Sequence, residues 1–295
     1  MPEITKIKDT CVNLDTISGN IPKDEKPKNV PEYQQWLLSK FKDASSNERN
    51  KSYYESVFLK AKQDFEKSNF WTALTNNFKE YSDYYRVSTG YTLFANYLES
   101  GLKPEILIKP YDSFILKTFR YNVINNNSWP NEPEEGWMLP SKGFSKINDL
   151  LRTLIVVKYL DGVDFIVEKI KEIDNNCKVE YKAKDDGYYA AHVYITRTFE
   201  IPDFNWSTRK EDILVEIQIT TQLQEVIRKL LHQHYEENRK KIEIESTKWQ
   251  WDYKCDQFAS NYLGHILHYI EGMIMDIRDK QDIKKFDTKE MTFHE

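Results

Sequence analysis

The chain has 295 residues, of which 40% are apolar and 30% are charged, and its formal net charge is −5. This length suits one large domain or a core with helical extensions. The aromatic share of 14% argues against wholesale disorder, because disordered chains are poor in residues that bury large areas. The slightly acidic balance gives no chain-wide basic field and does not support DNA binding.

Glycine usage limits the kinds of phosphate site that the chain can build. The sequence has nine glycines, and they form neither a dinucleotide-binding G-x-G-x-x-G motif nor a P-loop. Phosphate chemistry would therefore depend on side chains and a metal ion.

Cysteine usage and hydropathy indicate the compartment. Cys11, Cys177 and Cys255 lie far apart and form no C-x-x-C pair, so a zinc ribbon and a disulfide framework both lack support. The first residues lack the apolar segment of a signal peptide, and no apolar run approaches the roughly 18 residues of a membrane helix. We therefore expect a cytoplasmic protein with no membrane partner.

The N-terminal third is predicted to be helical after a short arm. Residues 1–28 are rich in Lys, Asp, Asn and Pro and predict a flexible arm. Residues 29–100 predict a helical region because large apolar side chains recur at helical spacing. The clearest stripe consists of Phe70, Leu74, Phe78, Tyr81 and Tyr85. We interpret this stripe as core packing.

Strands are predicted in residues 101–241, the segment that we expect to form the core. Apolar runs rich in β-branched residues predict strands at 151–157, 190–196 and 213–220. In the last of these, the two-residue period of a strand places Glu216 and Gln218 on one face. Residues 242–295 predict a C-terminal helical region, so the expected fold class is α+β, with a mixed sheet flanked by helices.

Four motifs in this core segment carry residues suited to chemistry. They are K-x-x-D-S-x-x-x-K at 109–117, D-x-x-x-x-x-I-V-V at 149–157, G-Y-x-x-x-H at 187–192 and E-I-Q-I-x-T at 216–221. Their order and patterns resemble the RelA/SpoT synthetase family, in its small alarmone synthetase or toxin-type form. Each motif alone is weak, but the four together in this order are specific.

The resemblance implies a nucleotidyltransferase-like sheet and an ATP-dependent pyrophosphokinase. In this family the 3′-hydroxyl of GDP or GTP attacks the β-phosphorus of ATP, AMP leaves, and (p)ppGpp forms. No histidine of the chain is followed directly by aspartate, so the family's hydrolase motif is absent. A synthetase without a hydrolase domain is therefore implied.

Residue roles follow from the resemblance and from the charge neutralisation that phosphoryl chemistry requires. Asp149 and Glu216 are the predicted catalytic carboxylates, and together they would hold Mg²⁺, the expected cofactor, with ATP as donor. The predicted ATP-binding residues are Lys109, Ser113, Lys117, Arg120 and Arg152. The predicted acceptor-binding residues are Lys184, Tyr188, His192 and Gln218.

Several of these assignments have a structural alternative. The alternative for Asp149 is a role in shaping the turn before its strand, which the resemblance makes the lesser one. His192 suits a core position as well as a ligand contact. Tyr188 is expected to stack on the acceptor base. Glu216 is harder to explain structurally, because a carboxylate within an apolar strand is costly unless it is paired or bound to metal.

The chain also departs from the family pattern. Leu107, Leu154 and Thr220 stand where the resembling proteins usually have arginine, and the loop at 182–186 is shortened. Arginine stacks on bases and grips phosphate in ways that leucine and threonine cannot. Donor-base stacking and the choice of acceptor therefore remain open.

Two alternative functions follow from these departures. One is a toxin-type synthetase that pyrophosphorylates the 3′ end of tRNA and inhibits translation, with a basic patch that binds the tRNA. The simpler interpretation of the same patch, which we favour, is a solvated helix face. The patch consists of Arg228, Lys229, Arg239, Lys240 and Lys241. The other is a non-catalytic nucleotide sensor. A homo-oligomer and an antitoxin partner both remain open.

Overall fold

The computed structural model describes residues 25–41, 46–95, 101–141, 143–203, 207–230 and 249–292, with the backbone alone at 256 and 282–292. Most of the predicted arm, residues 1–24, lies outside the described residues. The basic positions 239–241 of the predicted tRNA patch lie outside them as well.

Four helices precede the sheet, and their boundaries follow local capping signals. They are α1 (Val30–Lys40), α2 (Asn47–Glu66), α3 (Asn69–Asn76) and α4 (Phe78–Thr89). The side chains of Asn29, Ser46 and Ser68 accept backbone N–H groups at the starts of α1, α2 and α3. The apolar stripe predicted from 70 to 85 is shared by two helices, α3 and α4, which meet at Asn77.

The remaining elements alternate between strands and helices. In chain order they are β1 (Leu107–Ile108), α5 (Tyr111–Phe119) with a π-turn at Arg120–Ile124, β2 (Leu151–Val157), α6 (Leu160–Ile173), β3 (Lys178–Ala183), β4 (Tyr189–Pro202), β5 (Thr208–Thr221), α7 (222–230) and α8 (Asp256–Thr292). Single 3₁₀ turns occur at Phe144–Lys146 and Trp249–Trp251.

The strands form one mixed sheet in the order β1-β2-β5-β4-β3. Strands β2 and β5 run parallel, and the other neighbours are antiparallel. The predicted α+β class with a mixed sheet flanked by helices is confirmed. Strands β4 and β5 are longer than predicted, and the edge strand β3 was not predicted at all.

The two faces of the sheet differ in chemistry, because successive side chains of a strand point to opposite sides. One face, with Ile155, Val193 and Ile217 fully buried, belongs to the hydrophobic core, where α2 and α6 pack. We call the opposite side the polar face. Its members include Arg152, Leu154, Glu180, His192, Tyr194, Glu216 and Gln218.

Helix α8 crosses the end of the sheet at which β2 and β5 finish. The Thr221 hydroxyl, at the last residue of β5, donates to Glu271 of α8. Further along, Arg278 forms two hydrogen bonds to Asp161 at the start of α6, at 3.1 and 3.2 Å. No described helix combines the length and the apolar character needed to cross a membrane.

Candidate active site

Three of the predicted residues form one charged cluster beside β2. The Asp149 carboxylate accepts hydrogen bonds from Lys109 Nζ at 2.7 Å and from Lys117 Nζ at 2.9 Å. Lys109 is held by its backbone, whose N–H donates to Leu150 O at 2.9 Å and whose carbonyl accepts from the Tyr54 hydroxyl at 2.7 Å. The cluster therefore joins β1, α5 and the entry to β2.

The pKa values of this cluster show how strongly its charges are coupled. Burial alone would raise the pKa of Asp149, but the ammonium groups of Lys109 and Lys117 outweigh it and hold the pKa at about 2. Burial lowers the pKa of Lys109, Asp149 opposes this effect, and the positive charges of Lys117 and Arg152 add to it. Asp149 is thus a carboxylate surrounded by cations.

Glu216 lies at the centre of the polar face and is only 4% exposed. Its carboxylate contacts His192 Nδ1 at 2.5 Å and accepts from Gln218 Nε2 at 3.2 Å. Arg152 is its neighbour on β2, and Tyr194 its neighbour on β4. The buried charge thus has the partners that a carboxylate in this position requires.

A hydrogen-bonded chain connects Glu216 with the G-Y motif. Because a carboxylate can only accept, His192 donates to Glu216 through Nδ1–H, and in the neutral ring Nε2 is left as an acceptor. The Tyr188 hydroxyl lies 2.9 Å from Nε2 and donates to it. The sequence placed His192 either in the core or at a ligand, and the structure assigns it as the link between Tyr188 and Glu216.

Tyr194 is a member of this site that the sequence reasoning did not assign. Its hydroxyl lies 3.4 Å from His192 Nδ1. Burial, followed by the negative charges of Glu216, Glu180 and Asp149, raises its pKa to about 12. One hydroxyl therefore lies within the field of both predicted catalytic carboxylates. The two-residue period from His192 to Tyr194 was the available signal.

Glu180 of β3 is a second residue that was missed. In the β3–β4 register it lies opposite His192, and its carboxylate pairs with Lys178 at 2.6 Å and with Lys182. Hydrogen bonds from these lysines lower its pKa to about 2. A row of lysines therefore borders the polar face, continued by the exposed Lys184.

The predicted acceptor residues Lys184 and Tyr188 lie together at the end of this row. Lys184 Nζ is 5.1 Å from the centroid of the Tyr188 ring. Burial, followed by the charge of Glu216, raises the pKa of the Tyr188 hydroxyl, which is therefore neutral and able to donate. Gly187 has a φ of 78°, which favours glycine and turns the chain directly before Tyr188.

The remaining predicted donor residues lie on α5 and the turn after it. Ser113 precedes Lys117 by one helical turn, and Arg120 follows it by nearly one turn, so all three share one side of the helix. Both Ser113 and Arg120 are partly buried. The structure thus groups Lys109, Lys117 and Asp149 by direct contact, and it places Ser113 and Arg120 on the same side of the helix as Lys117.

The three departures from arginine have distinct surroundings. Leu107 pairs in register with Arg152 and is 43% exposed, and Leu154 pairs with Gln218. Both leucines thus line the polar face with apolar surface. The Thr220 hydroxyl donates to the backbone oxygen of Tyr189 at 3.0 Å, which is a structural contact.

Two carboxylates, not a larger cluster, are available for a metal ion. Among the described residues, no group of three or more His, Cys, Asp or Glu side chains is arranged to hold one. Magnesium is commonly held by one or two carboxylates together with phosphate oxygens. Asp149 and Glu216 both lie near enough to Tyr194 to add to the effect of burial in raising its pKa, and they are the two carboxylates that would hold the ion while the nucleotide supplied the other ligands.

No protein-family model and no curated protein matches the sequence. Among solved structures, the chain is similar to small alarmone synthetase 2 from Bacillus subtilis, with 17% identity, a TM-score of 0.42 and coverage of 72% of this chain and 96% of that one. It is also similar to small alarmone synthetase 1 from Bacillus subtilis bound to its product pppGpp, with 13% identity, a TM-score of 0.48 and coverage of 77% of this chain and 95% of that one. A GTP pyrophosphokinase family protein from Streptococcus pneumoniae has 14% identity to this chain and a TM-score of 0.41, with coverage of 75% of this chain and 95% of that one.

These solved proteins are of the kind that the four sequence motifs resemble. Because the TM-scores are low, we base the functional proposal on the motifs and on the geometry of this chain's own residues.

Proposed function

We propose that this chain is an ATP-dependent pyrophosphokinase that transfers pyrophosphate from ATP to the 3′-hydroxyl of GDP or GTP. The observation that carries the proposal is the grouping of Asp149 and Glu216 with Lys109, Lys117 and Arg152 along one side of the sheet. Three cations against two carboxylates leave a local positive excess in a chain of net charge −5. This inventory suits a polyphosphate and one divalent cation.

Lys109 and Lys117 bind the phosphates of the donor in this proposal. Both now contact Asp149, so on binding they exchange a carboxylate partner for phosphate oxygens. Asp149 and Glu216 would hold Mg²⁺, which would supply further neutralisation of phosphate charge. Leu107 and Leu154 offer apolar contact to the adenine ring where the family has arginine.

The acceptor hydroxyl is oriented and deprotonated by the Glu216 side of the site. The bond from its oxygen to the β-phosphorus forms as the bond from that phosphorus to the oxygen of AMP breaks. The hydroxyl proton passes to one carboxylate oxygen of Glu216, while the other oxygen keeps the hydrogen bond from His192 Nδ1–H. Tyr188 offers a ring face to the base, and Lys184 offers a charge to the acceptor phosphates.

Labelled ATP and GDP incubated with the purified full chain and Mg²⁺ test this proposal. We expect transfer of label to GDP, and a decrease of at least about 100-fold in Glu216→Gln, since loss of a general base typically costs 10²–10⁴-fold. Glu200→Gln is the matched control, because this exposed glutamate lies on the same sheet, at the distal part of β4. Absence of transfer by the wild-type chain, or equal rates in Glu216→Gln and the wild type, would refute the proposal.

A second candidate keeps the donor chemistry but uses the 3′ end of tRNA as acceptor. It is favoured by the exposed Lys184 next to the acceptor residue Tyr188, at the end of a row in which Lys178 and Lys182 share one partner, Glu180. Against it, Arg228 and Lys229 both pair with Glu225, at 2.7 and 3.3 Å, which offsets part of their charge.

One acceptor screen separates the candidates. Labelled ATP, as the donor, is incubated in parallel with GDP, GTP, ATP and deacylated tRNA as acceptors. Label in tRNA alone supports the second candidate, and label in GDP or GTP supports the first. Nucleotide binding without any transfer would support the third reading, a non-catalytic sensor.

A further inference from the structure

Helix α8 contacts the segment that carries Tyr188, although it contributes no residue to the predicted site. We call residues 184–189 the acceptor loop. Gly264 of α8 lies against Gly187 of this loop so closely that a Cβ added to Gly264 would be 2.4 Å from Gly187 O. Reciprocally, a Cβ on Gly187 would be 2.3 Å from Asn261 O. The two backbones thus touch directly.

His265, the next residue of α8, bonds to the acceptor loop on both sides of Tyr188. Its Nε2 lies 3.0 Å from the backbone oxygen of Asp185, and its Nδ1 lies 2.8 Å from the hydroxyl of Tyr189. A carbonyl oxygen can only accept, so Nε2 carries the hydrogen, and in the neutral ring Nδ1 accepts from Tyr189. One imidazole therefore closes a bridge over Gly187 and Tyr188.

Other contacts fix where this imidazole lies. The Tyr189 ring stacks on His268, one helical turn along α8, with centroids 3.7 Å apart and planes 10° apart. Gln224 Nε2 of α7 donates to Gly264 O at 3.3 Å. His265 is thus presented by a helix that is anchored on either side of it.

We propose that His265 is a positioning residue for the acceptor, because it fixes the acceptor loop in the shape that presents Tyr188. The part concerning the acceptor rests on the proposed pyrophosphokinase function, whereas the ordering of the loop does not. The Tyr188 hydroxyl must reach His192 Nε2, and its ring must stay open to a base beside Lys184. A loop released from α8 would meet both conditions only part of the time. The apparent affinity for the acceptor would then fall in proportion to the fraction of molecules whose loop has the required shape.

His265→Ala, His265→Gln and the control Tyr269→Ala are compared in the full chain. Tyr269 lies on the same helix and is 71% exposed, so it controls for an alanine in α8. Loss of both hydrogen bonds of His265 predicts a rise of about tenfold or more in the KM for GDP in His265→Ala. The KM for ATP should stay within about twofold. His265→Gln keeps a donor toward Asp185 O and should recover part of the loss.

Amide hydrogen exchange of residues 184–189 without nucleotide gives a second reading that needs no activity. We expect faster exchange in His265→Ala, intermediate exchange in His265→Gln, and wild-type exchange in Tyr269→Ala. Unchanged loop exchange in His265→Ala, or an equal rise of both KM values, would overturn the proposal. If the wild-type chain transfers nothing to GDP, the proposed function fails, while the exchange data still decide the role of His265 in the loop.

Discussion

Asp149 connects stability and chemistry at the scale of single residues. Its carboxylate pairs with two lysines, and its side chain is 23% exposed, so solvent screens these pairs only in part. The pKa of about 2 in the folded chain lies below the ordinary value, so ionised Asp149 stabilises the fold above about pH 4. This contribution, of about 2 kcal/mol, is lost as the pH falls toward 2.

We therefore expect Asp149→Asn to lower the free energy of unfolding by about 2 kcal/mol at pH 7, and by progressively less as the pH falls from 4 toward 2. Urea unfolding at several pH values measures this difference. Asp64→Asn is the control, since its pair with Lys60 is exposed and should contribute at most about 1 kcal/mol. A loss in Asp149→Asn no larger than in Asp64→Asn, or independent of pH, would contradict the argument.

How much of the candidate site the sequence predicts depends on how its residues come together. Lys109, Lys117 and Asp149 stand in recognisable motifs, and the structure brings them into contact. Tyr194 and Glu180 stand in no such motif. Tyr194 lies two residues after His192 on β4, so the period of a strand was a signal for it. Glu180 lies beside His192 through the register of β3 and β4, which spacing along the chain does not reveal.

At the scale of elements, the contact of α8 with the acceptor loop depends on the absence of a side chain at Gly264. Alanine in place of glycine usually stabilises a helix by about 1 kcal/mol. Here the added methyl group meets the backbone of Gly187, which cannot move aside as a flexible side chain would. Overpacking of this kind typically costs 1–3 kcal/mol.

We expect Gly264→Ala to destabilise the chain by about 1–2 kcal/mol and to loosen α8 from the loop. Gly272→Ala is the matched control on the same helix, because a Cβ there meets nothing within 4 Å and should be neutral or stabilising. Urea unfolding of the two variants measures the difference. If Gly264→Ala is as stable as Gly272→Ala, the two backbones do not touch in solution.

The elements themselves differ in how well the sequence predicts them. Strand β2 has a clear run of β-branched residues, and its predicted position, 151–157, agrees with the structure. Strand β3 was missed although its charged residues alternate with Val179, Tyr181 and Ala183, which is the two-residue period of a half-buried strand. The packing of α8 on the loop joins residues that are distant in sequence, Gly187 and Gly264, so no local pattern signals it.

In the molecule as a whole, the two faces of the sheet have different roles. The helices α2 and α6 bury one face and leave the other to carry the charged and hydroxyl side chains. The cations of the polar face are held by the carboxylates beside them, which offsets the mutual repulsion of Lys109, Lys117 and Arg152. A nucleotide whose phosphates pair with these cations, together with a metal ion that binds the carboxylates, should therefore raise the free energy of unfolding of the whole chain.

Thermal unfolding with nucleotide measures this coupling. A ligand present at about 100 times its Kd adds about 2.7 kcal/mol to the free energy of unfolding. In a chain somewhat smaller than this one, each ~1 kcal/mol of added stability raises the Tm by 2–4 °C. We thus expect ATP with Mg²⁺ to raise the Tm by about 5 °C, and ATP with a chelator to raise it less, because the carboxylates then repel the phosphates. Lys117→Met should lose most of the increase, whereas Lys60→Met, at an exposed helical pair, should keep it. An equal increase with and without Mg²⁺ would mean that Asp149 and Glu216 do not bind a metal together with the donor.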